Sequence, residues 1–254
     1  MRKKVLAVIP ARYGSSRFQG KPLALLDGHP MIEWVATRVA SSKLIDDVIV
    51  AVDDDRVASV CEKAGLRYIM TDEAHRTSTE RVAEVASRIA SDLYVVINGD
   101  EPLIDAHVVE KAIPDTWPID TPFAVNLMSM ISSPAEVVDP TNIKVVTGKD
   151  GFAIFFSRSP IPFPKGSLQF RYFKHVGVLA YNRLALQNFS ASERGPLETV
   201  EDINELRFIE QRIPLRMIEV PSGLGISVDT PKDLEHLRTM IQQNGISFPG
   251  LAEL

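Results

Sequence analysis

Along the first hundred residues, short β-branched and apolar runs alternate with segments of helical period, and each run stops at a Pro, Gly or Asp cluster. This alternation constrains the fold more than any other feature. Continuous apolar strands separated by amphipathic helices belong to βαβ units on a largely parallel sheet, buried on both faces. The spacing predicts strands over Val5–Ile9, Val48–Val52, Leu66–Met70 and Leu93–Ile97, and helices over Met31–Ser41, Arg56–Ala64 and Glu80–Ile89. Thr77 and Glu80 form an S/T-x-x-E capping box ahead of the last helix. Further on, strands are expected at Ala124–Met130, Ile143–Val146, Ala153–Ser157, Val176–Tyr181 and Met217–Val220, with helices near 201–211 and 231–242. The reading is one α/β domain over 1–254 with an irregular, proline-rich insertion around 159–174.

Composition narrows the partners. The chain has 254 residues, 45% hydrophobic and 24% charged, enough to bury a core without covalent staples. Its 28 Lys and Arg are scattered and outnumbered by 33 Asp and Glu, so no basic tract exists to follow nucleic acid or an anionic membrane. The single cysteine, Cys61, excludes an intrachain disulfide, and its apolar stripe with Val57, Ala58 and Val60 predicts core packing. No apolar run reaches the roughly 18 residues that a membrane span needs, and the opening segment breaks at Pro10 before a signal core forms. The expected location is the cytoplasm.

The most informative segment runs from Ile9 to Pro22, directly after the first strand. Ligands of parallel α/β sheets bind beyond the carboxyl ends of the strands. Here Gly14, Ser15, Ser16 and Gly20 leave backbone N–H groups accessible, while Arg12, Arg17 and Lys21 supply positive charge, as a phosphate clamp requires. A Walker A loop does not fit, because five residues separate Gly14 from Gly20 and Pro22 follows Lys21 where Ser or Thr should stand. Two carboxylates stand at strand ends, Asp100 in Asn-Gly-Asp-Glu-Pro and Asp229 in Ser-Val-Asp-Thr-Pro. A hard cation such as Mg²⁺ needs only one or two such ligands when phosphates supply the other oxygens. Either residue also suits a plainer role, Asp100 in a turn and Asp229 as a helix N-cap. Asp53, ending the second strand, is a third candidate. The segment His75–Arg81 opens a helix, where hydroxyls and arginines either cap or read a polar ligand.

These motifs resemble the 3-deoxy-manno-octulosonate (Kdo) cytidylyltransferases almost end to end. The resemblance runs through IPARYGSSRFQGKPL, GHPMI, HRTSTER, GDEPLI, NIKVV, FFSR, KHVGVLAY, PLE-x-x-E and VDTPKDLE. It implies a single-domain nucleotide-diphospho-sugar transferase fold, Rossmann-like, with a mostly parallel mixed central sheet. It further implies an Mg²⁺-dependent homodimer that transfers CMP from CTP to a sugar acid, releases pyrophosphate and serves lipopolysaccharide biosynthesis. By that likeness Arg12, Ser15, Arg17, Lys21, Arg76, Thr77, Ser78 and Asp100 hold CTP, and Asp100 and Asp229 carry the metal. Lys21, Arg17, Asp100 and Asp229 form the catalytic set. Asn98, Arg158, His175, Tyr181, Asn204 and Glu205 line the acceptor pocket, and the insertion around 159–174 serves dimerisation and that pocket. The chain departs from the family pattern at Asn98, Ser78 and Asn204-Glu205, beside the ligand positions and outside the clamp. Kdo or a Kdo-like acid is therefore the expected acceptor, with amino-modified Kdo, another keto-sugar acid or a phosphonate as alternatives. A silent nucleotide-binding regulator on the same fold is the rival from another class.

Overall fold

The computed structural model describes residues 3–15, 17–167, 169–222 and 227–249. They group into two compact units, one from Met1–Glu110 with Gly223–Leu254 and one from Lys111–Ser222.

The first unit opens with β1 (Val5–Ala11), a 3₁₀ turn at Lys21–Leu23 and a tight hairpin of β2 (Leu25–Leu26) and β3 (His29–Pro30). Then come α1 (Met31–Ala40), β4 (Asp47–Val52), α2 (Asp55–Lys63), β5 (Tyr68–Met70), α3 (Ser78–Arg88), β6 (Leu93–Ile97) and α4 (Ala106–Glu110). β1 pairs in parallel with β4 and with β6, and β4 pairs in parallel with β5. Every residue of β6 is buried, as expected of a strand covered on both faces.

The second unit contains β7 (Ala124–Met130), α5 (Pro134–Val138), β8 (Lys144–Thr147), β9 (Ala153–Ser157) and β10 (Phe173–Tyr181). It closes with α6 (Arg183–Ala191), α7 (Pro196–Glu201), α8 (Leu206–Glu210) and β11 (Leu215–Val220). β7 pairs in parallel with β11 and antiparallel with β10, while β8 joins β10 and β9 antiparallel. The chain then returns to the first unit as α9 (Pro231–Asn244). There Leu234, Leu237 and Ile241 pack with Leu26, Met31 and Trp34, whose indole N–H donates to the Leu26 carbonyl at 2.8 Å. That bond satisfies the one polar atom which burying the ring would otherwise strand.

The α/β reading and the alternation of strands and helices are borne out, with local differences that have physical causes. β1 does not stop before Pro10 but continues to Ala11. Its pairing with β6 ends at Val8, so past that point one side of β1 has no ladder for a proline to break. β5 starts at Tyr68 rather than Leu66, because the Leu66 N–H is taken by the Cys61 carbonyl at the end of α2. The helix expected near 201–211 is only α8, and the unexpected α7 before it ends where Asp202 adopts a left-handed conformation at φ 52°. The sequence reading missed α4, α5 and α6, of five, five and nine residues, too short for a clear period.

Cys61 is fully buried on α2, and burial pushes its thiol pKa up to about 11. The native protein should therefore resist thiol reagents near pH 8, with a thiolate about a hundredfold scarcer than in the unfolded chain. Labelling with a chromogenic disulfide should be slow in buffer and immediate in denaturant. Fast native labelling would show that the helix face is open.

Candidate active site

Gly20 takes the left-handed conformation, φ 69°, which turns the chain into the short 3₁₀ helix that begins at Lys21. At the end of β6, a Cβ on Gly99 would sit 3.0 Å from the Pro10 carbonyl oxygen, so a side chain there would push the two strand ends apart by a few tenths of an ångström. Asp100 follows immediately, and its carbonyl accepts the Val228 N–H at 2.9 Å. This bond lays the segment before α9 alongside the end of β6. The N-cap of α9 is Thr230, locked in a capping box with Asp233, so the cap role that suited Asp229 falls to its neighbour. Asp229 keeps its carboxylate for another partner.

That partner is Lys21. Its Nζ donates to Asp100 Oδ2 at 2.8 Å and to Asp229 Oδ1 at 3.3 Å, and the Arg17 guanidinium reaches the same Asp229 oxygen at 3.0 Å. Lys21 and both carboxylates are largely shielded, whereas Arg17 is 57% exposed. Lysine, arginine and two aspartates predicted from sequence are thus brought together in one cluster at the carboxyl ends of β1 and β6. Two carboxylates converging on one ammonium can equally converge on one small cation. The donor set fits Mg²⁺ if further oxygens come from a ligand, because no group of three His, Cys, Asp or Glu among the described residues could hold a metal.

Arg12 is exposed. The Ser15 hydroxyl accepts the Phe18 N–H at 3.3 Å, and Ser16 lies outside the described residues. Thr77 caps α3 by accepting the Glu80 N–H at 3.1 Å, and Glu80 returns a bond to the Arg76 N–H at 2.8 Å, so the capping role proposed for this segment is filled. The Arg76 side chain stays exposed and Ser78 half-buried. Asp53 does not join the Lys21 cluster. It accepts from Arg81 and from the Tyr13 N–H. Asn98 is half-buried at the end of β6.

The acceptor candidates Arg158, His175, Tyr181, Asn204 and Glu205 belong to the second unit. Arg158 donates to the carbonyls of Glu201, Pro140 and Asp202 at 2.8, 3.0 and 3.1 Å, closing the end of α7 with a cation where the helix dipole favours one. Tyr181 is fully buried and stacks on Phe208, with ring centroids 5.3 Å apart. Asn204 and Glu205 lie in the break between α7 and α8, Asn204 half-buried and Glu205 buried. Asn126, which the sequence reading did not single out, determines His175. Its amide donates to the carbonyls of Val176 and Val178 at 2.9 and 3.1 Å, across the irregularity in β10, so its oxygen faces His175 Nδ1 at 2.8 Å. Nδ1 must therefore carry the proton, which leaves Nε2 as a lone-pair acceptor when the ring is neutral. A buried Asn beside a bulged Gly-containing strand was the only available signal.

Burial holds the His175 pKa below its usual value near 6.5, with the Glu205 charge opposing. Since the folded state binds this proton less well than the unfolded chain, the contribution of His175 to stability is present above pH 6.5 and declines as the pH falls below it. Nitrogen-15 NMR of the imidazoles should find His175 as the Nδ1–H tautomer at pH 7, with a titration midpoint below 6.5. A midpoint above 6.5 would contradict this geometry.

The Cytidylyltransferase family pattern matches residues 6–216. The chain is 38% identical over 247 residues to 3-deoxy-manno-octulosonate cytidylyltransferase of Fusobacterium nucleatum, covering 96% of this chain and all of the relative. The protein of the same name from Escherichia coli is 39% identical over 240 residues, covering 94% and 97%. A solved structure of CMP:2-keto-3-deoxy-manno-octonic acid synthetase complexed with CTP superposes with a TM-score of 0.88 at 39% identity, covering 95% of this chain and 99% of that one. By sequence over 96% of its length and by fold, the chain belongs to the 3-deoxy-manno-octulosonate cytidylyltransferase family.

Proposed function

We propose that the protein transfers CMP from CTP to Kdo and releases pyrophosphate. The observation that carries this is the Lys21 ammonium bracketed by Asp100 and Asp229 where β1 and β6 end, in a chain similar over its length to enzymes of that name. A hydroxyl oxygen of the acceptor attacks the α-phosphorus of CTP. The new O–P bond forms as the bond to the pyrophosphate oxygen breaks, and the hydroxyl proton leaves to solvent. Little covalent work falls to the protein, so its residues orient the groups and neutralise charge. Arg12, Arg17 and Lys21 hold the triphosphate, Lys21 and Arg17 facing the departing pyrophosphate. Ser15, Arg76, Thr77 and Ser78 lie along the nucleotide. Asp100 and Asp229 would hold Mg²⁺, which supplies charge neutralisation and a more acidic attacking hydroxyl. In the second unit His175, Glu205, Asn204 and the ends of α7 and β10 read the acid, while the half-buried Arg158 and the buried Tyr181 shape the segments that present them. Asn98, at the end of β6 in the first unit, is a further acceptor-reading residue.

One observation favours a second acceptor. Glu205 puts a buried carboxylate in the field of His175, whose Nε2 is itself an acceptor. Such a pair suits a ligand rich in hydrogen-bond donors, and an amino-modified Kdo carries more of them than Kdo does. We also propose that the protein works in the cytoplasm as a homodimer. Phe163 and Val200, each 84% exposed in the second unit, are apolar surface that a second copy would cover.

Pyrophosphate release from CTP should be seen with Kdo and be absent without an acid. Better turnover of amino-modified Kdo would select the second acceptor, and no release with any keto-sugar acid would overturn both. Lys21→Ala should lose about 2 to 4 kcal/mol of transition-state stabilisation, a larger effect than its loss of folding stability, which comes from leaving Asp100 and Asp229 without their shared cation. Full activity in that variant would remove its phosphate role. Asp100→Asn and Asp229→Asn should each raise the Mg²⁺ concentration for half-maximal rate while CTP still binds. Unchanged metal dependence in both would remove the metal assignment.

A further inference from the structure

Asp53 and Arg81 stand outside the Lys21 cluster, yet they fix the loop that delivers it. Asp53 Oδ1 accepts the Tyr13 N–H at 2.9 Å, and Oδ2 accepts from Arg81 Nη2 at 2.9 Å. Arg81 is only 3% exposed, and its other amino group donates to the Thr71 hydroxyl. The Tyr13 carbonyl in turn accepts the Gly20 N–H at 2.9 Å, which ties Tyr13 to the residue just before Lys21. The Arg56 guanidinium lies 3.4 Å from the centre of the Tyr13 ring and is itself held by Asp54. Tyr13 is thus pinned at its N–H, its carbonyl and its ring. Only the first of these pins reaches the interior of the unit.

We infer that Asp53 is a positioning residue for the nucleotide clamp, holding Tyr13 against buried Arg81 and so fixing the place of its neighbour Arg12 and, through the Tyr13 carbonyl and Gly20, of Lys21. The charges agree with the geometry. Arg81 feels burial first, then the attraction of Asp53, then the repulsion of Arg12, so Arg12 lies within electrostatic reach of a buried cation. Asp53 neutralises that cation and lets the two arginines stand close. Without it, the repulsion would push Arg12 and the start of the loop outward. Holding Tyr13 and Gly20 in place beforehand also spares part of the ordering cost that a freer clamp meets on binding a triphosphate.

The inference rests on the proposed CTP-dependent activity, so wild-type pyrophosphate release is measured first; its absence would count against that activity and not against Asp53. CTP affinity by calorimetry then tests the loop without reference to turnover. Asp53→Asn keeps an oxygen for the Tyr13 N–H but removes the counter-charge of Arg81, whereas Asp53→Ala removes both. Expected are increases in the Kd and KM for CTP of about threefold for Asn and tenfold or more for Ala, with a smaller fall in kcat. The Mg²⁺ concentration for half-maximal rate should stay within about twofold of wild type, since Asp53 is no metal ligand in this scheme. If Asp53→Ala does not fold, Asp53→Asn decides by the same two readouts. Unchanged CTP affinity in a folded variant would overturn the inference, as would a raised Mg²⁺ requirement, which would make Asp53 a metal ligand.

Discussion

The first unit is organised around one cation held by two carboxylates. Lys21 is tied to Asp100 across 79 residues and to Asp229 across 208, so three distant stretches of chain meet at a single ammonium. Partly screened from water, such a contact is stronger than a surface pair and leaves little tolerance for error. The backbone meets that demand with a left-handed Gly20 before Lys21, a close approach at Gly99 before Asp100, and a capping box at Thr230 that frees Asp229. Each device is local. Only together do they bring Lys21, Asp100 and Asp229 to one point.

The second unit relies on a different arrangement of the same forces. Arg207 and Glu198 form a bidentate pair at 2.6 and 2.7 Å, almost wholly buried, and the guanidinium lies 3.8 Å from the centre of the Phe189 ring while donating to the Phe189 carbonyl. This pair joins α6, α7 and α8. Removing one member would leave an uncompensated buried charge, at a cost of about 3 to 5 kcal/mol. Arg158 closes the end of α7 nearby, and the break at Asp202 that it stabilises is what displays Asn204 and Glu205. Asn204 and Glu205, expected from sequence to depart from the family pattern, thus lie between two helices that buried and shielded charges hold in place.

His175 illustrates how a fold sets the chemistry of a side chain. Asn126 spends both amide hydrogens on the irregular stretch of β10 and so has only its oxygen left for the ring. The tautomer follows from that accounting, and burial keeps the ring neutral. In the first unit Asp53 is placed comparably, accepting the Tyr13 N–H with one oxygen and the Arg81 guanidinium with the other, while Lys21 turns to Asp100 and Asp229.

Periodicity and composition determined the class of this protein. Apolar runs such as Leu93–Ile97 have nowhere to go but a buried parallel sheet, and a loop of small residues with three cations after the first strand has few uses besides an anion. The motifs marked Lys21, Asp100 and Asp229 because these residue types recur wherever phosphates and metal meet. Sequence could not show that the three converge, that Thr230 rather than Asp229 caps α9, or that Asp53 turns away to Arg81. It also could not show the break between α7 and α8, where no local signal outweighs helix propensity. Those outcomes depend on which groups are neighbours after the strands are laid side by side, and hydrogen bonds and buried charges choose their partners by distance in space, which a linear pattern does not carry.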